Sequence, residues 1–155
     1  MTITVGRVLR LSSRGRYALK AVFDLAVHTD APVQVRDVAT RQRIPLRFLE
    51  QIFQLLKRGG LVESKRGPRG GFRLTRQPDE VKLGDVLRAV EGPVVLTGQT
   101  SGRRRGEDAR DVTDAVLADL SRSVEQCFDG ITLQDLCARG ERTLIARRAG
   151  TPYVI

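Results

Sequence analysis

Residues 35–74 read VRDVATRQRIPLRFLEQIFQLLKRGGLVESKRGPRGGFRL, and this stretch decides the fold of the chain. Apolar residues at helical spacing predict a short helix over residues 35–42, and a tight turn follows at residues 43–44. Pro45 suits the first turn of a second helix, which we expect over residues 46–58. The stretch therefore begins with two helices joined by a tight turn.

The second helix is the most clearly amphipathic segment of the sequence. When its residues are placed at about 100° per residue, the apolar ones share one half of the helix surface and the polar ones share the other. The apolar half consists of Leu46, Phe48, Leu49, Ile52, Phe53, Leu55 and Leu56. The polar half consists of Arg47, Glu50, Gln51, Gln54, Lys57 and Arg58. We expect the apolar half to pack into a core and the polar half to remain exposed.

A β-hairpin with a basic tip is predicted after this helix. Gly59 and Gly60 end the helix, and two short β-compatible stretches, residues 61–65 and 72–75, flank the sequence RGPRGG at 66–71. Two helices with a tight turn, the second amphipathic, followed by a basic hairpin, form a winged helix-turn-helix. The predicted fold is mainly α with a small β-hairpin wing.

Further helices are predicted on both sides of this unit. Ser12 and Ser13 can cap a helix over about residues 15–28. Residues 83–91 form another helix, which ends at a Gly-Pro pair. Residues 97–110 are rich in Gly, Ser, Gln and Arg and lack apolar periodicity, so we expect a mobile loop there.

A long helix is expected over residues 111–128. Its apolar residues repeat at spacings of four and three, and they are Val112, Val116, Leu120, Val124 and Cys127. A helix this long beside a small domain needs a partner surface, and the same helix of a second subunit supplies one. We therefore predict a homodimer held by Val112, Val116, Leu120 and Val124, with Cys127 as a small core residue.

These elements divide the chain into five predicted segments. They are an N-terminal extension (1–10), a winged helix-turn-helix (11–80), a linking helix with a mobile loop (81–110), a dimerisation helix with the segment that follows it (111–138), and a C-terminal tail (139–155).

The charge of the chain is concentrated in its first half. Residues 1–80 carry 16 Lys and Arg against 7 Asp and Glu, whereas residues 81–155 carry 11 of each. This basic charge favours binding to the phosphate backbone of a nucleic acid. The alternative is that the basic residues form a solvated surface that keeps the protein soluble. No apolar run is long enough to span a bilayer and residues 1–10 lack a signal-peptide pattern, so we expect a cytoplasmic protein without membrane contact.

The polar half of the second helix contains residue types that read base edges. Arginine grips guanine, glutamine grips adenine, and glutamate accepts from the cytosine amino group; the candidates are Arg47, Glu50, Gln51 and Gln54. An acid facing a polyanion is costly unless it selects bases, so Glu50 is the unusual member. The alternative is that Glu50 is a solvated partner of Lys57 or Gln54.

The hairpin tip is the second candidate DNA contact. Lys65, Arg66 and Arg69 crowd it, and an arginine there can enter a narrow minor groove. A plain tight turn is the alternative interpretation.

Little in the sequence supports catalysis. The chain has one histidine, two separated cysteines, no phosphate-binding loop and no paired carboxylates that would suggest catalytic machinery, so we expect no enzyme. A nonspecific nucleic-acid-binding protein and a regulator that senses a small molecule or a redox signal remain alternatives to a sequence-specific regulator.

A set of motifs resembles the Rrf family of bacterial winged-helix regulators. The motifs are RLS at 10–12, GRYAL at 15–19, FLEQ at 48–51, GLV at 60–62, RGP at 66–68, GGFRL at 70–74, LGDV at 83–86, VEGP at 90–93 and ITLQDL at 131–136. The resemblance implies a dimer that reads palindromic promoter sites in double-stranded DNA, with Glu50 and Gln51 reading bases and Arg66 entering the minor groove. The full predicted DNA-binding set is Arg14, Tyr17, Arg47, Phe48, Glu50, Gln51, Gln54, Lys65, Arg66 and Arg69.

Members of that family that bind an iron–sulfur cluster carry three spaced cysteines after the Glu-Gly-Pro motif. Here residues 94–114 contain neither cysteine nor histidine, and the corresponding places hold Gln99, Arg105, Asp111 and Asp114. We therefore predict no iron–sulfur cluster and no cofactor. His28, near a helix end, is expected to be a polar cap.

The sequence at residues 150–155, GTPYVI, suggests a partner. It is similar to the tail with which serine acetyltransferase docks into O-acetylserine sulfhydrylase (cysteine synthase), and a cluster-free repressor of cysteine metabolism in the same family uses that enzyme as its signalling partner. The resemblance implies that Ile155 fills the substrate site while Tyr153 and Val154 line its entrance. A frayed terminus is the alternative.

Overall fold

The computed structural model of the chain describes residues 11–96 and 109–148, with side chains described for 11–96 and 112–143. Within these residues the chain forms α1 (Ser13–Val27), α2 (Val35–Gln42), α3 (Leu46–Arg58), β1 (Val62–Lys65), β2 (Gly71–Leu74), α4 (Leu83–Glu91), α5 (Ala109–Asp129) and α6 (Leu133–Arg148). The predicted mainly α fold with a hairpin wing is confirmed. No described helix is both long and apolar enough to cross a membrane.

The helix-turn-helix has the bounds that the sequence predicts. Arg43 ends α2 in the left-handed conformation, with a φ of 55°, and the Ile44 N–H donates to the Ala39 carbonyl at 3.0 Å. Pro45 lies just outside α3 rather than within its first turn, because its ψ of 127° is not helical. Its carbonyl accepts a bond from the Leu49 N–H at 3.0 Å. The tight turn therefore sets the direction in which α3 leaves α2.

The wing is the antiparallel hairpin of β1 and β2 with its tip, residues 62–74. Val62 pairs with Leu74 and Lys65 pairs with Gly71. β1 starts one residue after its predicted start and β2 starts one residue before its predicted start. The reason is that the ladder runs from the Val62 and Leu74 pair to the Lys65 and Gly71 pair. The tip lies between the two strands and is held by a bond from the Gly70 N–H to the Gly67 carbonyl at 2.9 Å.

Gly71 and Phe72, at the start of β2, join the wing to the loop before α2. The Val33 N–H donates to the Phe72 carbonyl at 2.8 Å, and the Phe72 N–H donates back to Val33 at 2.7 Å. Gly71 has a φ of +148°, and a Cβ built on it would lie 2.4 Å from the Val33 carbonyl oxygen. Only glycine fits such a close approach of two backbones.

One hydrophobic core underlies α1, the helix-turn-helix, the wing and α4. In the apolar half of α3, Leu49, Ile52, Phe53 and Leu56 are at most 1% exposed, and the other three residues are partly buried against the same core. The predicted amphipathic division of this helix is confirmed. Leu133, the first residue of α6, is also fully buried in this core, so the corner between α5 and α6 is docked on the winged unit.

The buried carboxylate of Asp24 ties α1 to α2. It is 1% exposed and accepts from Arg41 Nε at 3.0 Å, from Arg41 Nη2 at 2.6 Å and from Gln42 Nε2 at 3.0 Å. Burial opposes its ionisation, but the bonds from Arg41 and Gln42 outweigh this cost and lower its pKa below the ordinary value. His28 caps α1, as predicted, with its N–H bonded to the Leu25 carbonyl.

The start of α1 is capped from two directions. Ser12 accepts from the Gly15 N–H at 3.2 Å, as the sequence predicts for a capping serine, and α1 begins at Ser13, two residues before the predicted start. Glu91, at the end of α4, also accepts from the Gly15 N–H at 2.9 Å and from the Ser12 hydroxyl. The end of α4 therefore holds the start of α1.

The C-terminal helices differ from the predicted boundaries. α5 begins at Ala109, so residues 109–110 are helical rather than part of the predicted loop. Residues 139–148, placed in a C-terminal tail by the sequence, continue α6. That helix was missed because it has little apolar periodicity, while its start is fixed by reciprocal bonds between Thr132 and Asp135. Residues 1–10, 97–108 and 149–155 lie outside the described residues.

The expected burial of Cys127 is wrong for the single chain. Cys127 is exposed on α5, whereas Cys137 on α6 is half-buried. The reason is that α5 contacts the winged unit through only part of its surface and leaves the side that carries Cys127 uncovered.

Candidate nucleic-acid interface

α3 presents a polar face to solvent. Its four side chains, Arg47, Glu50, Gln51 and Gln54, are called the reading face here. All four are exposed, and none makes a hydrogen bond or ion pair within the described part of the chain. The alternative pairing of Glu50 with Lys57 is not formed, since Lys57 Nζ donates instead to Ser64 Oγ at 2.7 Å.

A groove of about 710 Å³ separates the reading face from the wing. All four reading-face side chains line it, together with Val35 of α2 and Phe53 and Phe72 from the core side. The rings of Phe53 and Phe72 are in contact at a centroid distance of 4.6 Å, with their planes tilted by 38°. The folding of the chain thus gathers the predicted base-reading residues at one concave surface.

A second groove of about 430 Å³ lies on the other side of α3. It is lined by Gln51 and Gln54, by the exposed side chains of Arg14 and Arg58, and by apolar atoms of α3. The lining contains no acidic residue. Arg58 is absent from the predicted DNA-binding set, although its place in the polar half of α3 could have suggested it. The reading face is therefore bordered by Arg14 and Arg58 at this second groove.

Tyr17 and Phe48, both predicted to contact DNA, pack against each other. Their ring centroids are 5.6 Å apart at an interplanar angle of 80°, and both side chains are half-buried. This edge-to-face contact holds the start of α3 against α1. The structure thus gives the two rings a packing role, and it separates them from the fully exposed members of the predicted set.

The wing carries its cations at an exposed tip. Lys65, Arg66 and Arg69 are all exposed, and none of them is paired with an acid within residues 11–96 and 112–143. A Cβ on the buried Gly70 would lie 2.2 Å from the Lys65 carbonyl oxygen, so this glycine permits the tight tip. The three predicted wing cations therefore lie exposed at the tip of the hairpin, whose second strand also carries Phe72 of the larger groove.

α5 carries an exposed apolar stripe, which consists of the predicted dimerisation residues Val112, Val116, Leu120 and Val124. The first three are 68%, 52% and 49% exposed, and Val124 is half-buried. Residues 94–96 lie along another side of α5, where the Leu96 N–H donates to Ser121 Oγ at 3.0 Å. One face of α5 is thus anchored by the chain itself while the stripe is uncovered.

Known proteins are similar to this chain in sequence and in fold. A profile of Rrf2, described as an iron-dependent transcriptional regulator, matches residues 11–139. The HTH-type transcriptional regulator IscR of Aliivibrio salmonicida is 38% identical over 141 residues, covering 90% of this chain and 84% of IscR. CymR, the global cysteine regulator of B. subtilis, aligns with a TM-score of 0.69 at 30% identity, covering 85% and 98% of the two chains. The structure of IscR from T. potens aligns with a TM-score of 0.69 at 34% identity, and the alignment covers 87% of this chain and 90% of that IscR chain.

The residues of this chain do not fit an iron–sulfur cluster. Such clusters are held by about four cysteine or histidine ligands, whereas this sequence has two cysteines and one histidine. His28, Cys127 and Cys137 lie on different helices or helix ends, and no group of three metal-binding side chains occurs among the described residues. Burial and the neighbouring Glu141 raise the pKa of the Cys137 thiol, which disfavours the metal-binding thiolate.

Proposed function

The chain belongs to the Rrf2 family of transcriptional regulators, and from this we propose that it reads palindromic promoter DNA as a homodimer, with α3 in the major groove. It is a DNA-binding regulator and not an enzyme. The observation that carries the proposal is the reading face, whose four polar side chains are exposed beside a groove and have no partner within the described residues. Such side chains are free to bond base edges.

The roles within the interface follow from chemistry and position. Glu50 and Gln51 lie centrally on the reading face and would read bases, with Arg47 and Gln54 beside them. Arg66 would enter the minor groove from the wing, where Lys65 and Arg69 would contact phosphates. All of these side chains are exposed.

The apolar stripe of α5 supports the homodimer. Three exposed branched side chains on one helix face are costly in water, and a second copy of the same stripe would bury them. Pairing across a two-fold axis would present two reading faces to two halves of a palindrome.

The test of sequence reading is selection of binding sites from a random duplex pool, followed by fluorescence anisotropy at several salt concentrations. We expect the selected palindrome to bind about 10³-fold more tightly than a scrambled duplex at the same salt. Glu50→Ala should reduce this ratio more than it reduces affinity for the scrambled duplex, and Arg142→Ala, an exposed arginine on α6, is the control. Equal affinity for selected and scrambled duplexes would favour the nonspecific nucleic-acid-binding alternative.

For the pathway, we propose repression of cysteine and sulfur metabolism with O-acetylserine sulfhydrylase as the signalling partner. The similarity in fold to the global cysteine regulator CymR supports this, and so does a donor set that does not suit an iron–sulfur cluster. The proposed contact is Tyr153, Val154 and Ile155, which lie outside the described residues. The name IscR among the relatives suggests regulation through an iron–sulfur cluster, but the two cysteines and one histidine of this chain are too few to hold one.

The partner is tested by calorimetric titration of O-acetylserine sulfhydrylase with the full chain and with a variant lacking residues 153–155. We expect heat of binding with the full chain and none with the shortened variant. Equal binding by both, or by neither, would contradict docking through these residues without affecting the proposal of DNA reading.

A further inference from the structure

A charged cluster joins α4 to the last turn of α5. Arg88 Nη1 donates to Asp129 Oδ2 at 3.1 Å, and Arg88 Nη2 donates to Asp129 Oδ1 at 2.7 Å. The same Nη2 also donates to Asp85 Oδ1 at 3.0 Å, on the previous turn of α4. The bidentate arrangement fixes the plane of the guanidinium group, so it constrains direction as well as distance. The bonds that Arg88 donates, first to Asp129 and then to Asp85, raise the pKa of Arg88 above its ordinary value.

The two helices meet at Gly84 without an intervening side chain. A Cβ built on Gly84 would lie 1.9 Å from Asp129 Oδ1 and 3.1 Å from Arg88 Nη1. Glycine at this position therefore allows the Asp129 carboxylate to lie against the backbone of α4. The contact is a close-fitting joint between the two helices.

The joint is continued by two backbone bonds. The Leu83 N–H donates to the Ile131 carbonyl at 2.9 Å, and the Leu133 N–H donates to the Val81 carbonyl at 2.8 Å. These bonds hold the corner between α5 and α6 to the winged unit, but they lie beyond the end of α5. Arg88 holds the last turn of α5 itself through Asp129, while the Val94 and Leu96 N–H groups bond Glu125 and Ser121 farther along the helix.

The other side of α4 packs directly on α3. A Cβ on Gly59, which follows α3, would lie 2.9 Å from the Ala89 Cβ, so this approach is also close. The core residues Val86 and Val90 of α4 are at most 4% exposed. Direct packing contacts therefore connect α3 through α4 and Arg88 to α5.

A small rotation of α5 at this joint produces a large displacement of the apolar stripe. At about 1.5 Å of rise per residue, Val116 lies about 20 Å along α5 from Asp129. A rotation of about 10° at Asp129 would move Val116 by about 3.4 Å, which is the rise of one base pair. The angle of α5 therefore determines how far apart two reading faces lie in a dimer.

We propose that Arg88 is a positioning residue that sets the angle between α3 and α5, and thereby the half-site spacing that the homodimer accepts. The inference rests on the proposed function, because it requires a dimer that reads two half-sites. Arg88 lies apart from the reading face, the wing and both grooves beside α3, so it does not touch DNA through them.

The experiment compares anisotropy titrations on duplexes that differ only in the number of base pairs between half-sites, from two fewer to two more than the selected palindrome. We expect the unchanged protein to prefer one spacing by about tenfold or more. Arg88→Ala and Asp129→Asn should both reduce this preference to about threefold or less, while affinity for an isolated half-site stays the same within about twofold. A merely structural role would lower both affinities together and leave the preference unchanged.

Two further variants keep the result interpretable. Arg122→Ala removes an exposed arginine that pairs with Asp119 on α5 itself, so its spacing preference should equal that of the unchanged protein. Arg88→Lys keeps the charge but cannot form the bidentate contact, and it should relax the spacing even if Arg88→Ala unfolds. An unaltered spacing preference in folded Arg88→Lys and Asp129→Asn would overturn the inference. Failure of the unchanged protein to select any palindrome would overturn the proposed function instead.

Discussion

Replacement of Asp24 by asparagine tests how the helix-turn-helix is held on α1. The substitution keeps the shape of the side chain but removes its charge, and its amide group faces donors from Arg41 and Gln42. Hydrogen bonds to charged groups contribute about 1.5–3 kcal/mol each. Three such bonds end on Asp24, but the Arg41 side chain is 39% exposed and recovers bonds to water after the change. We therefore expect a loss of about 3 kcal/mol in the free energy of unfolding at neutral pH.

The loss should depend on pH in a defined direction. The folded state lowers the pKa of Asp24 below 3.8, so the unfolded state binds more protons as the carboxylate titrates. The stabilisation is complete above about pH 5 and declines as the pH falls through the folded pKa. The difference between the protein and Asp24→Asn should therefore shrink at acid pH, because asparagine does not titrate.

The assay is urea unfolding followed by circular dichroism at pH 7 and pH 3, at one protein concentration because dimerisation also stabilises. Asp30→Asn is the matched control, since Asp30 is an exposed loop residue without a partner within the described residues. A loss below about 0.5 kcal/mol at pH 7, which is typical of surface substitutions, would refute the reasoning. So would a loss that is the same at both pH values.

Three further sets of substitutions test the wing, the second groove and the stripe. Gly71→Ala should destabilise the chain by about 2 kcal/mol or more in urea unfolding, whereas Gly67→Ala, whose Cβ meets no atom within 4 Å, should cost about 1 kcal/mol. Arg14→Ala and Arg58→Ala should each lower DNA affinity equally for all sequences and reduce the slope of log K against log salt by about 1. Val116→Asp should convert the dimer to a monomer in sedimentation equilibrium, because a charge would be buried against its copy.

Each of these results has an outcome that contradicts it. Equal destabilisation by the two glycine variants would mean that the contact with Val33 does not restrict Gly71. A loss of affinity confined to the selected palindrome would assign base reading, rather than phosphate contact, to the second groove. An unchanged molecular mass for Val116→Asp would mean that the stripe is not the dimer surface.

The sequence predicts the helix-turn-helix well because its determinants are local. In α3 the spacing of apolar residues decides by itself which face is buried, and Pro45 and Gly59 mark its ends. The reading face follows directly, since the polar residues of an amphipathic helix must face away from the core. α6 escapes the same reasoning, because its apolar residues show little periodicity and its burial depends mainly on contacts at Leu133 and Gly140.

By itself the sequence determined which residues form the recognition helix, the wing and the exposed stripe, because these depend on patterns within a few turns of chain. Only the tertiary structure decided how the elements are held together. Arg88 and Asp129 are 41 residues apart in the chain, and Gly15 and Glu91 are 76 apart. No local sequence pattern identifies such pairs. From the sequence alone a charged residue is expected to be exposed to solvent, and only the folded structure shows which residue it contacts. The angle between α3 and α5 therefore depends on tertiary contacts that no local stretch of sequence reveals.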